Sequence, residues 1–190
     1  MSWELYVLEP DDLARYAAVP MTIRVESALK PVPLRGGLGG LRLEEEPLAV
    51  PYEKDYDQHG GPASWPARFD LSRWHIVAVI ERGVVLAGAA AFGPALAHAD
   101  TVAELWDIRV RPEARRSGFG RLLLGHQQEW ARQQGYRWLK AETQNVNVAA
   151  CRFYQHEGAL LGAINIFAYS GQADVEQEVE LDWFCPLASG

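Results

Sequence analysis

The sequence predicts an α/β protein whose central mixed sheet is flanked by helices, and three observations carry that expectation. Apolar runs of strand length recur between His75 and Phe184. Between two of these runs Phe119, Leu122, Leu123, His126 and Trp130 repeat at helical spacing, which gives one apolar helix face. A second helical pattern follows Asn147, a residue whose side chain can cap exposed helix amides.

The elements follow in order. Residues 3–8 read as an opening strand and 11–18 as a short helix with an aspartate near its start. Gly36-Gly37-Leu38-Gly39-Gly40 is too glycine-dense for a regular element and reads as a turn. Residues 41–48 suggest a strand, and the proline, glycine, tyrosine and aspartate content of residues 50–74 suggests a long loop, a type of segment that often carries function. Residues 75–80 and 84–92 form a hairpin about Glu81-Arg82-Gly83, and 102–110 continue the sheet until Pro112, which has no N–H to give a ladder. A helix then runs to Gly135 and a strand spans 136–141. The next helix is expected to turn Ala150, Phe153 and Tyr154 inward, and strands at 160–169 and 178–184 close the chain. The expectation is one domain over 1–190, with an irregular acceptor-side half at 1–74 and a sheet and ligand-binding core at 75–184.

Composition narrows the class. At 190 residues the chain is long enough for a real hydrophobic core. No run approaches the roughly 18–20 apolar residues of a membrane span, and Met1-Ser2-Trp3-Glu4 lacks the basic start of a signal peptide, so a cytoplasmic protein without a membrane partner is expected. A formal net charge of −7 argues against nucleic acid as a partner. Cys151 and Cys185 have no metal-ligand spacing and the five histidines are scattered, so neither a disulfide nor a metal is expected. Monomer and homodimer are both left open.

The basic residues are concentrated locally. Arg109, Arg111, Arg115, Arg116 and Arg121 crowd the point where the strand at 102–110 gives way to a helix, within Arg115-Arg116-Ser117-Gly118-Phe119-Gly120. Gly118 and Gly120 let the backbone turn tightly, and the first helical turn adds free amides and the positive end of its dipole, which makes an anion site. A Walker loop is excluded because no lysine follows the glycines, and a dinucleotide fingerprint because position 123 is leucine. Any single arginine here other than Arg115, which occupies the motif position, could instead pair with a surface carboxylate.

Arg-x-x-Gly-x-Gly after a strand ending Ile-x-Val resembles the pyrophosphate loop of the GNAT superfamily of acyl-CoA-dependent N-acetyltransferases. The spacing from Asn147 through Ala150 to Tyr154 resembles that family's second signature, and the two motifs together span about 60 residues in the right order. Glu142-Thr143-Gln144-Asn145-Val146-Asn147, Ala150-Cys151, Gly162-Ala163-Ile164, Tyr169-Ser170 and the upstream Pro51-Tyr52-Glu53-Lys54-Asp55-Tyr56 are similar to the streptothricin and nourseothricin acetyltransferase subgroup. Two departures stand out. Trp106-Asp107-Ile108 replaces a Glu-Asp-Ile run close to the acceptor side, and Gly158-Ala159 stands where Gly-Phe is usual.

The resemblance implies a splayed sheet with the acetyl-CoA pantetheine arm between two strands. Ile108, Arg109 and Val110 would line the arm. Arg115, Arg116, Ser117, Gly118, Phe119, Gly120 and Arg121 would cradle the pyrophosphate, and Asn147 and Ala150 would flank the thioester end. Tyr154 would protonate the leaving thiolate and also contact the cosubstrate; the alternative is a core tyrosine bonded to a backbone carbonyl. A neutral amine must attack, so a carboxylate is needed to take its proton or hold it. Asp107 is the first choice, with a buried structural role as its alternative, and Glu142 the second. Tyr52, Glu53, Asp55, Tyr56 and Asp57 form an aromatic and acidic run suited to a small cationic amine of streptothricin type, or else a solvated loop. No activated cysteine is evident, so direct transfer rather than an acyl-enzyme is expected. An acetyltransferase acting on protein lysines or N-termini, and a non-catalytic acyl-CoA-binding module, remain as alternatives.

Overall fold

The computed structural model describes residues 2–58, 60–95 and 100–187. The chain divides into two compact units, one formed by Met1–Thr22, Asp55–Lys140 and Pro186–Gly190, the other by Ile23–Lys54 and Ala141–Cys185.

In the first unit, β1 (Trp3–Val7), β4 (Trp74–Glu81), β5 (Val84–Phe92) and β6 (Val102–Val110) lie side by side in that order, each pair antiparallel. The β4–β5 turn is made by Arg82 and Gly83, both at positive φ, the conformation that matches a two-residue hairpin to strand twist. Strand alternation divides the sheet's two faces. Ile76, Ala78, Ile80, Val85 and Ala90 join Leu13, Tyr16, Val19 and Trp65 in a core with α1 (Leu13–Tyr16) and α2 (Trp65–Arg68). The other face is covered by α3 (Phe119–Gln133), whose Gln127 donates to the carbonyls of His75 and Ala89.

One glycine in this unit is there for close packing. A Cβ on Gly88 would lie 2.3 Å from Cε2 of Tyr16, so the fully buried tyrosine packs on β5 where a side chain is missing.

In the second unit, β2 (Thr22–Pro33) and β3 (Leu41–Asp55) form a long two-stranded ribbon around the glycine-rich turn, where Arg35, Gly36, Gly37 and Gly40 have positive φ. The remainder of β7 (Trp138–Gln144) is followed in the sheet by β9 (Glu180–Pro186) and then β8 (Leu160–Asn165), which pairs antiparallel with β9. The helix α4 (Val148–His156) is capped by Asn147, whose side-chain oxygen accepts from the Ala150 amide at 3.2 Å.

Several local expectations change. Residues 22–33, not expected as a strand, form one, and β3 runs on to Asp55, so the expected loop at 50–74 is partly strand and partly short helices at Pro62–Ser64, Trp65–Arg68 and Leu71–Arg73. The prolines at 31, 33, 47 and 51 disguise a ribbon that needs ladder bonds from only one side. The buried face of α3 is Phe119, Leu123, Leu124, Gln127 and Ala131, one residue away from the apolar stripe read in the sequence, because a buried glutamine replaces an apolar side chain at its centre. In α4 the buried residues are Val148, Cys151 and Tyr154, with Ala150 and Phe153 half-buried at the margin. His75 and His126, read as scattered, stack at 5.3 Å, while His59 and His98 lie outside the described residues.

Candidate functional site

The first unit presents the arginine loop. After Val110 a 3₁₀ turn at Pro112–Ala114 precedes the loop, and Gly118, at φ +86, is the N-cap of α3. Gly118 makes no side-chain cap, so the first amides of a fifteen-residue helix point outward with the positive end of its dipole. A Cβ built on Gly118 would meet nothing within 4 Å, so the approach to these amides is open. Arg116 (φ +64), Ser117 and Arg121 are exposed and Gly120 is half-buried; Phe119 is buried, edge-on to Trp3 at 5.7 Å. Arg115 reaches back, donating to the carbonyls of Thr22 (2.9 Å) and Val110 (3.3 Å), which ties the loop to its own unit. These features fit a pyrophosphate, which needs open amides and nearby cations.

Arg109 does something the sequence did not suggest. Its side chain, 2% exposed, turns to the α1 face and uses all five N–H donors. Nε and Nη2 donate to Asp107 at 2.8 and 2.6 Å, Nη1 and Nη2 to Asp57 at 2.9 and 3.1 Å, and Nη1 to the Val19 carbonyl at 2.8 Å. Burial alone would lower the guanidinium pKa, but the bonds to Asp107 and Asp57 outweigh it and hold the group above its ordinary value. Tyr16 completes the network by donating to Asp107 at 2.6 Å, and burial, reinforced by the Asp107 charge, raises its pKa well above the usual phenol value. The expected cosubstrate contact at Arg109 is therefore left to its backbone. Its neighbours Ile108 and Val110 are half-buried, and their side chains alternate away from Arg109.

Asp107 is thus a member of a buried network. It accepts three hydrogen bonds, and a carboxylate has about four lone-pair positions, so one position on Oδ2 remains. That position is open to one further donor.

The run expected to bind acceptor does not act as one patch. Asp57 is committed to Arg109, and Asp55 accepts from the Asp57 amide at 2.9 Å. Tyr56 is half-buried, its amide bonded to the Met21 carbonyl at 3.1 Å. In the second unit Tyr52 and Glu53 are exposed at successive positions of β3, so they face opposite sides of it. Burial, with the Glu178 charge, raises the Tyr52 pKa.

The second unit holds the Asn147 signature. Tyr154 is buried at 4% exposure, stacked on Trp183 at 6.5 Å and edge-on to Phe153 at 5.2 Å. Trp183 is fixed in turn by a 3.0 Å bond to Thr143. Cys151 is a buried free thiol whose pKa is pushed up by burial, which leaves it a poor nucleophile. Glu142 is exposed and accepts from Tyr169 at 2.7 Å, and Gln144 bonds both. Burial raises the Tyr169 pKa above its usual value. Asn145 was missed as a structural organiser: its side chain donates to the Leu29 carbonyl (3.0 Å) and accepts from the Val179 amide (2.8 Å). A single polar residue between Gln144 and Val146 gave no periodic signal.

The profile of the Acetyltransferase (GNAT) family matches residues 42–159, more than half of the chain and inclusive of both the arginine loop and the Asn147 helix. The chain belongs to the GNAT acetyltransferase family. Among curated relatives, streptothricin acetyltransferase A of Bacillus subtilis (strain 168) is 33% identical over 78 residues, 41% of this chain, and the match spans 44% of that protein's length. Two crystal structures share the fold at 22% identity and a TM-score of 0.79. One is a candidate streptothricin acetyltransferase from Bacillus anthracis str. Ames, in complex with acetyl coenzyme A, aligned over 97% of this chain and 99% of the other; the second is a nourseothricin acetyltransferase, aligned over 99% and 100%. No helix among the described residues is long and apolar enough to cross a membrane.

Proposed function

We propose that this GNAT protein transfers the acetyl group of acetyl-CoA to a primary amine of a small cationic molecule of streptothricin type. The observation that carries the reading is the uncapped N-terminus of α3 behind Gly118, open in front and bordered by exposed Arg116 and Arg121, as a pyrophosphate requires. The B. subtilis relative supports the acceptor class.

In this reading the amides at the start of α3, with Arg115, Arg116, Ser117 and Arg121, hold the pyrophosphate, and the backbone of Ile108 and Val110 aligns the arm. Asn147 and Ala150 border the thioester end. The free lone pair of Asp107 holds the substrate ammonium until its proton passes to solvent, with Glu142 as the second carboxylate of that role. The neutral amine attacks the carbonyl carbon and the Tyr154 hydroxyl gives a proton to the departing thiolate. The buried, unactivated Cys151 supports direct transfer over an acyl-enzyme. The test is incubation with acetyl-CoA and a streptothricin, followed by mass spectrometry of antibiotic and protein. Acetylated antibiotic and unmodified protein are expected; acetylated protein as an intermediate, or unmodified antibiotic, overturns the proposal.

A further inference from the structure

β1 ends the row of strands in its unit, with β4 on one side and, among the described residues, no strand on the other. The Leu8 amide donates to the Ile76 carbonyl at 2.8 Å, and the register continues from Val7 opposite Val77 to Trp3 opposite Glu81. Hydrogen-bonded positions alternate with unbonded ones in an antiparallel pair, so Glu4, Tyr6 and Leu8 turn their backbone groups to β4. Trp3, Leu5 and Val7 turn theirs outward, along an edge ready to receive another strand.

Proteins usually blunt such an edge with proline, lysine or a bulge. β1 has none of these. Its sequence Trp-Glu-Leu-Tyr-Val carries one charge, its pairing with β4 is regular, and Trp3, Tyr6 and Val7 are 42%, 43% and 59% exposed. The apolar surface extends onto α3. Trp3 meets Phe119 edge-on at 5.7 Å, and the helix flank on the Phe119 side holds Leu122, His126 and Trp130. These are the residues of the apolar stripe in the sequence that the sheet leaves half-buried, because α3 turns Leu123, Leu124 and Gln127 inward instead. His126 and Trp130 both stack on His75 of β4, and burial lowers the pKa of each histidine, so this flank is uncharged at neutral pH.

The pattern of β1 selects its occupant. A two-fold axis through Leu5 sets two β1 strands antiparallel in the register where every outward position of one meets an outward position of the other. Leu5 then faces the second copy's Leu5, and Trp3 faces the second copy's Val7, an aromatic and β-branched pair that occurs twice. On the opposite face Glu4 stands across from the second copy's Tyr6, and within the chain these two side chains already hydrogen-bond, the phenol donating to the carboxylate. No like charges meet. Each copy carries a formal net charge of −7, so most faces repel a second copy, whereas here the one carboxylate finds a donor opposite.

We infer that β1 is a homodimerisation edge: two copies pair their β1 strands antiparallel about Leu5, each outward pair exchanging both backbone hydrogen bonds, with the α3 flanks bordering Trp3, Leu5 and Val7. This does not depend on the acetyl transfer proposed above.

The test is sedimentation equilibrium combined with residue-resolved amide exchange by NMR, over a concentration series of the wild-type protein. A mass of two chains is expected, with exchange at the Trp3, Leu5 and Val7 amides slowing as the dimer forms and the Glu4 and Tyr6 amides protected at every concentration. Val7→Asp leaves its charge in water in the monomer and buries it twice in the dimer, so it should raise the dimer Kd about tenfold or more. Phe167→Asp, at a 75% exposed position of the second unit, should leave that Kd unchanged. A monomer up to about 0.1 mM overturns the inference. So does a dimer whose Trp3, Leu5 and Val7 amides exchange as fast as in the monomer, or one that Phe167→Asp breaks and Val7→Asp does not.

Discussion

Replacing Arg109 by methionine removes the centre of the buried network and leaves Asp107 and Asp57 facing one another across the vacated space. The Arg109 side chain is 2% exposed and Asp107 10%, so neither end is well solvated, whereas Asp57, at 25%, can turn partly to water. Breaking a buried pair by deleting one partner costs about 3–5 kcal/mol, and the relief available to Asp57 places this case near the lower end, about 3 kcal/mol. For a chain of this size that is a fall of roughly 6–12 °C in Tm. Asp57→Asn should cost less, about 1–2 kcal/mol, because Nη1 keeps the Val19 carbonyl and both Nε and Nη2 keep Asp107. Urea denaturation followed by fluorescence, with equal m-values across variants, measures both. An Arg109→Met protein within about 1 kcal/mol of wild type, or an Asp57→Asn protein less stable than Arg109→Met, would refute the view that Arg109 is a buried counter-ion.

Other expectations follow from single features. Gly118→Val puts a β-branched residue at φ +86 and fills the open approach to the α3 amides, so the acetyl-CoA Kd measured by calorimetry should rise about tenfold or more. Gly88→Ala places a methyl 2.3 Å from the Tyr16 ring and 3.0 Å from the Val77 carbonyl, and should lower stability by about 1–3 kcal/mol in the same urea assay. His75 and His126 have pKa values lowered by burial, so as pH falls through about 6.5 the unfolded chain takes up protons before the folded one does. The stability from these histidines is complete above that pH and declines below it; Tm should fall between about pH 7.5 and 5.5, and by less in a His75→Phe, His126→Phe double variant.

The parts of this molecule legible in the sequence are those decided by neighbours along the chain. The Gly118 cap, the Asn147 cap and the hairpin at Arg82-Gly83 each depend on a few consecutive residues, and the structure forms them where the sequence placed them. The role of Arg109 was illegible because its partners are distant in sequence, Asp57 by 52 positions and Val19 by 90. Pattern reading saw an arginine in a strand leading to an anion loop and placed it with Ile108 and Val110 along the cosubstrate arm. The offset face of α3 was missed because a fully buried Gln127 looks polar until its partners, the carbonyls of His75 and Ala89, are known. The bulge that leaves Trp106 as an extra residue on β6, between Asp107 opposite Ala90 and Leu105 opposite Ala91, is a matter of register between strands, which composition does not reveal, although the replacement of a glutamate by tryptophan there marked the position as unusual.

Acetyl transfer from acetyl-CoA with Tyr154 as the proton donor is the proposal on which the other roles depend. The most direct test is the initial rate of coenzyme A thiol release with streptothricin as acceptor, for the wild-type and Tyr154→Phe proteins, after calorimetry has established that both bind acetyl-CoA. Acceptor-dependent release is expected of the wild type and a kcat about 100-fold lower of the variant, with the acetyl-CoA Kd little changed. Equal rates in the two proteins would contradict the role of Tyr154, and release no faster than without acceptor would contradict the transfer to streptothricin itself.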